Sequence, residues 1–166
     1  MKTFDWTSFQ VRIPITTSKS KLFSLWNSPA GLETWFLRKA DSFDKDGSKK
    51  SKLDDFFPGD NYEWYWAGWG DEVAEKGTIL ENNRTDRLKF SFGNAGNVTI
   101  EILEEMGYTI LSLTQDEIPA DEKGKEYFHL GCKTGWTFHL ANLKSIIEGG
   151  LDLRNKDIEL KNVINS

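Results

Sequence analysis

Large rings crowd the strand-like runs of this chain, and their placement constrains the fold more than any other feature. Tyr62, Trp64, Tyr65, Trp66 and Trp69 stand close together, followed by Phe90 and Phe92. Trp26 and Trp35 fall in an early pair of helical segments, and Trp136 falls in a late one. The 166 residues include seven Trp, eleven Phe and four Tyr. A sheet carrying so many rings must bury them against a helix or wrap them around a cavity. No set of catalytic side chains stands beside them.

Alternation of apolar and polar residues defines the strands. Phe9, Val11, Ile13 and Ile15 alternate with Gln10, Arg12 and Pro14. This suits a half-buried strand, and Pro14, which has no backbone donor, places it at an edge or ends it. Lys39 to Phe43 reads as a second strand. Pro58-Gly59-Asp60-Asn61 is a turn signal. Runs at Tyr62–Ala67, Glu75–Asn82, Arg87–Phe92, Val98–Glu104 and Tyr108–Gln115 are joined by short turn-rich segments, which favours an antiparallel meander. Leu88, Phe90 and Phe92 share one face, as do Val98, Ile100 and Ile102. Leu111 and Leu113 share theirs with Gln115.

Helix signals interrupt the strands at two places. Thr17 or Ser18 caps a helix from Lys19 with an inner face of Leu22, Phe23, Leu25 and Trp26. Asn27-Ser28-Pro29 breaks it and restarts a short helix, whose inner face is Leu32, Trp35 and Phe36. A long helix is expected from Asp121 or Glu122 to about Glu148, stopped by Gly149-Gly150. Cys132, Trp136, Leu140, Leu143 and Ile147 form its stripe, with Gly131 and Gly135 alongside. Each glycine costs about 1 kcal/mol there, tolerable where the helix approaches the sheet closely or a ligand needs room. Residues 1–150 are expected to form one domain, and Leu151–Ser166 a charged tail that docks or frays.

Composition excludes several function classes. A net charge of −5 argues against a nucleic-acid partner, which requires a basic face. The basic cluster Lys49, Lys50 and Lys52, followed by Asp54 and Asp55, reads as a solvated loop. The lone Cys132 forms no internal disulfide. The N-terminus from Met1 lacks the apolar core of a secretion signal, and no apolar run reaches the ~20 residues of a membrane span. A soluble, cytoplasmic protein is expected.

The chemistry-bearing residues are sparse. His129 and His139 are the only histidines. One helix separates them by about 15 Å, so they share no metal, and neither a metal nor a cofactor is expected. Cys132 lies in the inner stripe, where a buried thiol is inert. The acidic pairs, Glu72/Glu75 among them, read as solvated charges at turns and strand ends. Glu63 sits among aromatics, and an outer-face carboxylate is its favoured reading over a buried acid or base. Gln115, on an apolar face, either bonds locally or meets a polar ligand atom.

The order of strand, two short helices, antiparallel strands and long final helix resembles an α+β fold. It is similar to the helix-grip fold of the START, polyketide-cyclase and birch-pollen-allergen superfamily. Within it the chain looks most like the branch named for the activator of the heat-shock-protein-90 ATPase. Trp26-Asn27-Ser28-Pro29 with Leu32-Glu33-Thr34-Trp35-Phe36 is similar to that family's kinked helix pair. Phe57-Pro58-Gly59 before Tyr62-Glu63-Trp64 is similar to its turn into a strand, with Asp60 where a second glycine is frequent. Gly77-Thr78-Ile79-Leu80-Glu81 and Leu88-Lys89-Phe90-Ser91-Phe92 resemble its central strands. Gly135-Trp136 with Leu140, Leu143 and Lys144 resembles its final-helix signature.

The resemblance implies a deep apolar cavity between curved sheet and last helix, but no single activity. The first reading is a domain binding a small apolar or amphipathic ligand, lipid-like or aromatic. Trp35, Phe36, Trp64, Trp66, Phe90, Phe92 and Trp136 would line its cavity, with Gln115 as polar contact. The second is an interaction module with a chaperone or other protein partner. The third is a cyclase- or dehydratase-type enzyme using the same cavity. Non-enzymatic binding is favoured, because no catalytic constellation is visible.

Overall fold

Strand pairing follows the alternation. The structure, a computed structural model, describes residues 3–164, so the readings that reach Met1 and Ser166 extend beyond the described residues. Seven strands form one antiparallel sheet: β1 (Phe9–Pro14), β2 (Lys39–Phe43), β3 (Asn61–Tyr65), β4 (Ala74–Asn82), β5 (Arg87–Ser91), β6 (Asn97–Glu105) and β7 (Tyr108–Asp116). Their order is β1-β7-β6-β5-β4-β3-β2. The meander expected from the short turns is therefore continuous from β2 to β7, and β1 adds to β7 as an edge. Pro14 closes that pairing opposite Ile110, where a missing donor costs nothing in the ladder. The faces match the alternation: Leu88, Phe90, Val98, Ile100, Ile102, Leu111, Leu113 and Gln115 are all buried.

Two short helices, α1 (Lys19–Ser24) and α2 (Pro29–Trp35), start where the caps predict. Ser18 Oγ accepts from Lys21 N (3.3 Å), and Ser28 Oγ accepts from Gly31 N (3.1 Å). The expected long helix is two pieces. Gly124–Gly131 is π-helical and runs into α3 (Cys132–Ile147). The wider π turns change the phase of the helix, so a uniform 3.6-residue stripe describes only the second piece.

Three bonds fix α3 over the curved sheet. Trp136 Nε1 donates to Gln115 Oε1 on β7 (2.9 Å), Asn142 Nδ2 to Trp35 O at the end of α2 (2.7 Å), and Lys144 Nζ to Pro14 O at the end of β1 (2.7 Å). Between them rings fill the interior. Trp35 stacks on Phe36 (5.1 Å), Phe36 on Trp136 (5.0 Å), and Tyr62 on Trp64 (3.8 Å). The tail docks through Asp152 and Arg154. The Arg154 guanidinium donates to the carbonyls of Glu33, Thr34 and Leu37, and so caps the C-terminus of α2.

The loop lysines are not a solvated run. Lys49, Lys52 and Lys39 all reach the buried carboxylate of Asp41, at 3.0, 3.0 and 3.1 Å. Lys50 pairs with the buried Asp60. Folding brings acids of β2 and of the turn before β3 to these ammoniums. Burial raises the Asp41 pKa, and the hydrogen bonds from the lysines outweigh it, leaving the carboxyl at about 2 against an ordinary 3.8. A depressed pKa contributes stability that is complete above 3.8 and lost as the pH falls towards about 2. The stability gap between the wild type and Asp41→Asn, measured by urea unfolding, is therefore expected to narrow across that window. A gap independent of pH would remove Asp41 from the acid response.

Candidate functional site

The rings do not fill the whole space under α3. At one end a pocket of about 480 Å³ remains, walled by Phe36, Trp66, Trp69, Phe92, Phe128 and Trp136. The β3–β4 and β5–β6 connections form one side, and the π-helical segment with the first turns of α3 forms the other. Its size lies within the range of roughly 300–1,000 Å³ usual for small-molecule sites. Gly131 and Gly135 open the helix side. A Cβ at Gly131 would meet only Glu126 O, at 3.5 Å. The glycines tolerated inside this helix thus stand where room is left beside it.

Of the residues expected to line a cavity, Phe36, Trp66, Phe92 and Trp136 do so. Trp35, Trp64, Phe90 and Gln115 lie behind the wall. Trp35 lies beneath Phe36, and Phe90 packs edge-on to Trp64 (5.1 Å). Gln115 is fully buried, with both ends of its amide engaged: Nε2 donates to Ala95 O (2.8 Å) and Oε1 accepts from Trp136. It holds the indole that forms the wall, so the polar-contact role gives way to the local-bonding one. Glu63 faces outward, paired with Lys76 (2.9 Å) and bonded by the Tyr65 hydroxyl (3.0 Å), and Lys76 first among these holds its pKa below the usual carboxylate range.

Two polar residues of the pocket escaped the sequence reading. Glu75 was read as a solvated charge at a strand end, yet it lies opposite Trp64 in the β3–β4 ladder and lines the pocket. Its carboxylate rests against Gly93, whose φ of +49° and missing side chain make the space. The signal was present: Glu75, Gly77 and Ile79 share a face, and Ile79 is fully buried. Burial raises the Glu75 pKa, offset in part by the backbone N–H of Lys76.

His139, one turn after Trp136 and Gly135, also lines the pocket. It is 7% exposed and meets the Phe36 ring edge-on at 4.8 Å. Its Nδ1 has no hydrogen-bond partner among the described residues. Burial, reinforced by the charge of Arg154, lowers its pKa to about 3, so the imidazole is neutral at ordinary pH. Burial also pushes the Cys132 thiol up, away from the nucleophilic thiolate. His129 points elsewhere: its Nδ1 donates to Trp6 O (3.0 Å) among Phe4, Trp6 and Phe9. No cluster of three or more metal-ligating side chains stands among the described residues. No helix among them is long and apolar enough to cross a membrane.

The profile of the family described as activator of Hsp90 ATPase homolog 1-like protein matches residues 16–148. The chain belongs to that family. The family's matched span runs from the end of β1 to the end of α3, and so takes in every wall of the pocket. No curated protein matches the chain. Among solved structures it is similar to the protein SSP2350 from Staphylococcus saprophyticus, with TM-score 0.66 and 16% identity, over 91% of this chain and 98% of that one. It is also similar to the Aha1 dimer from Colwellia psychrerythraea, with TM-score 0.63 and 15% identity, over 86% and 97%. A third likeness is DynU16, a putative protein in the dynemicin biosynthetic locus, with TM-score 0.66 and 15% identity, over 90% of this chain and 50% of that one. At these identities the likeness establishes the helix-grip fold of the family and nothing narrower.

Proposed function

We propose that this family member binds a small amphipathic molecule in the pocket under the start of α3. The observation that carries the reading is the pocket itself: about 480 Å³ walled by Phe36, Trp66, Phe92 and Trp136, beside a helix that keeps glycines at 131 and 135. Apolar ligand surface buried there contributes about 25 cal/mol per Å². The same walls supply the readout, since Trp66, Trp69 and Trp136 all face the pocket.

Titration with fatty alcohols and aromatic polyketides is expected to shift the tryptophan emission. Gly135→Leu places a branched side chain in the pocket and is expected to weaken binding by at least about tenfold, a loss of about 1.4 kcal/mol. Far-UV circular dichroism checks that the variant is folded. No spectral response from the wild type, or unchanged affinity in the folded variant, would reject the reading.

The family's description supports a second reading, a module that engages a chaperone ATPase. Stimulation of Hsp90 ATPase by the purified chain would support it, and neither binding nor stimulation would remove it.

A further inference from the structure

The pocket has an electrostatic character as well as a shape. Glu75 is the one carboxyl group among the side chains that line it, and neither His139 nor Cys132 places a charge beside it at neutral pH. The Glu75 carboxylate accepts one hydrogen bond, from Lys76 N at 3.2 Å, and has no Lys or Arg partner among the described residues. The two fully buried carboxylates of the sheet and its turns are paired differently: Asp41 holds three lysines and Asp60 holds Lys50. A carboxylate held partly out of water without a counter-ion is costly, and a site that keeps one suits a ligand bringing the missing charge. Around it stand the faces and edges of Trp66, Trp69, Phe92 and Trp136, and indole faces attract cations more strongly than the other rings do. The rim already shows that preference: Lys161 Nζ stands 5.5 Å from the centre of the Trp69 ring.

Resting on the binding reading above, we propose that the ligand is an amphipathic organic cation, its ammonium seated against Glu75 and its apolar part against Trp136, Phe92 and Phe36. The neutral imidazole of His139 adds no repelling charge of its own. A protonated amine gains hydrogen bonds to Glu75, and a quaternary ammonium gains the ring contacts alone with the charge attraction.

Three probes of equal chain length test the class: octyltrimethylammonium, octanol and octanoate, titrated calorimetrically below their aggregation concentrations. The expected order is ammonium tightest and carboxylate weakest. Glu75→Gln is expected to reduce the ammonium-over-alcohol preference by about tenfold. Glu75→Lys is expected to reverse the order and favour octanoate. Should either variant fail to fold, the wild-type order still decides. Octanol or octanoate binding as tightly as the ammonium overturns the cation proposal while leaving the pocket reading intact. Binding of none of the three overturns both.

Discussion

Trp136→Ala is expected to cost about 3–5 kcal/mol of folding stability, the range for truncating a buried aromatic side chain. The indole is 2% exposed and lies against rings from three separate segments: Phe36 at 5.0 Å, Phe92 at 5.4 Å and Trp26 at 6.2 Å. Its Nε1–H is also the donor to Gln115 Oε1, a buried acceptor whose amide nitrogen is already committed to Ala95. Truncation removes the packing and strands that oxygen. Trp136→Phe separates the two, keeping most of the ring and losing the donor, and is expected to cost about 1–3 kcal/mol. Equilibrium urea unfolding followed by circular dichroism measures both. A loss below about 1 kcal/mol for Trp136→Ala would mean that α3 is held to the sheet by other contacts.

Lys50→Met is the second large effect, about 3–5 kcal/mol, the range for breaking a buried ion pair from one side. The Lys50 side chain is 12% exposed and that of Asp60 is 6%. Lys50 Nζ also donates to Asp55 O (2.7 Å) and lies 4.8 Å from the Phe57 ring. Asp60 in turn accepts from Phe57 N (2.8 Å), and its carbonyl receives Ile79 N (2.8 Å). The pair thus ties the loop before β3 to the middle of β4. Removing the ammonium leaves a carboxylate in a site that offers it little water. The double variant Lys50→Met/Asp60→Asn removes both charges and keeps an oxygen for Phe57 N, so it is expected to be more stable than Lys50→Met alone. A single variant within about 0.5 kcal/mol of the wild type would show that the loop opens and hydrates Asp60 without penalty.

That pair also marks a boundary of sequence reading. Ser18 and Ser28 announce their helices because a cap acts on a donor three residues away. The inner faces of β5, β6 and β7 are legible because alternation is a property of neighbouring residues. The lysines at 49, 50 and 52 misled because the acids that pair with them, Asp41, Asp60 and Glu33, lie outside the run that made them look like a solvated loop. Glu75 misled differently. Period two from the buried Ile79 puts it on the inner face, yet a carboxylate at a strand end is ordinarily solvated, and composition outweighed register.

The same division runs through the pocket. Local periodicity dictated that the strands would present aromatic faces and that Trp136 would lie on the inner stripe of the last helix, because such patterns depend on residues a few positions apart. Which rings fill the interior and which bound a space was settled by how α3 crosses the sheet. Phe90 and Phe92 share a face, but one lies under Trp64 and the other at the edge where the β3–β4 connection turns away. Depth beneath a crossing helix is set by contacts between distant segments, which no run of neighbouring residues encodes.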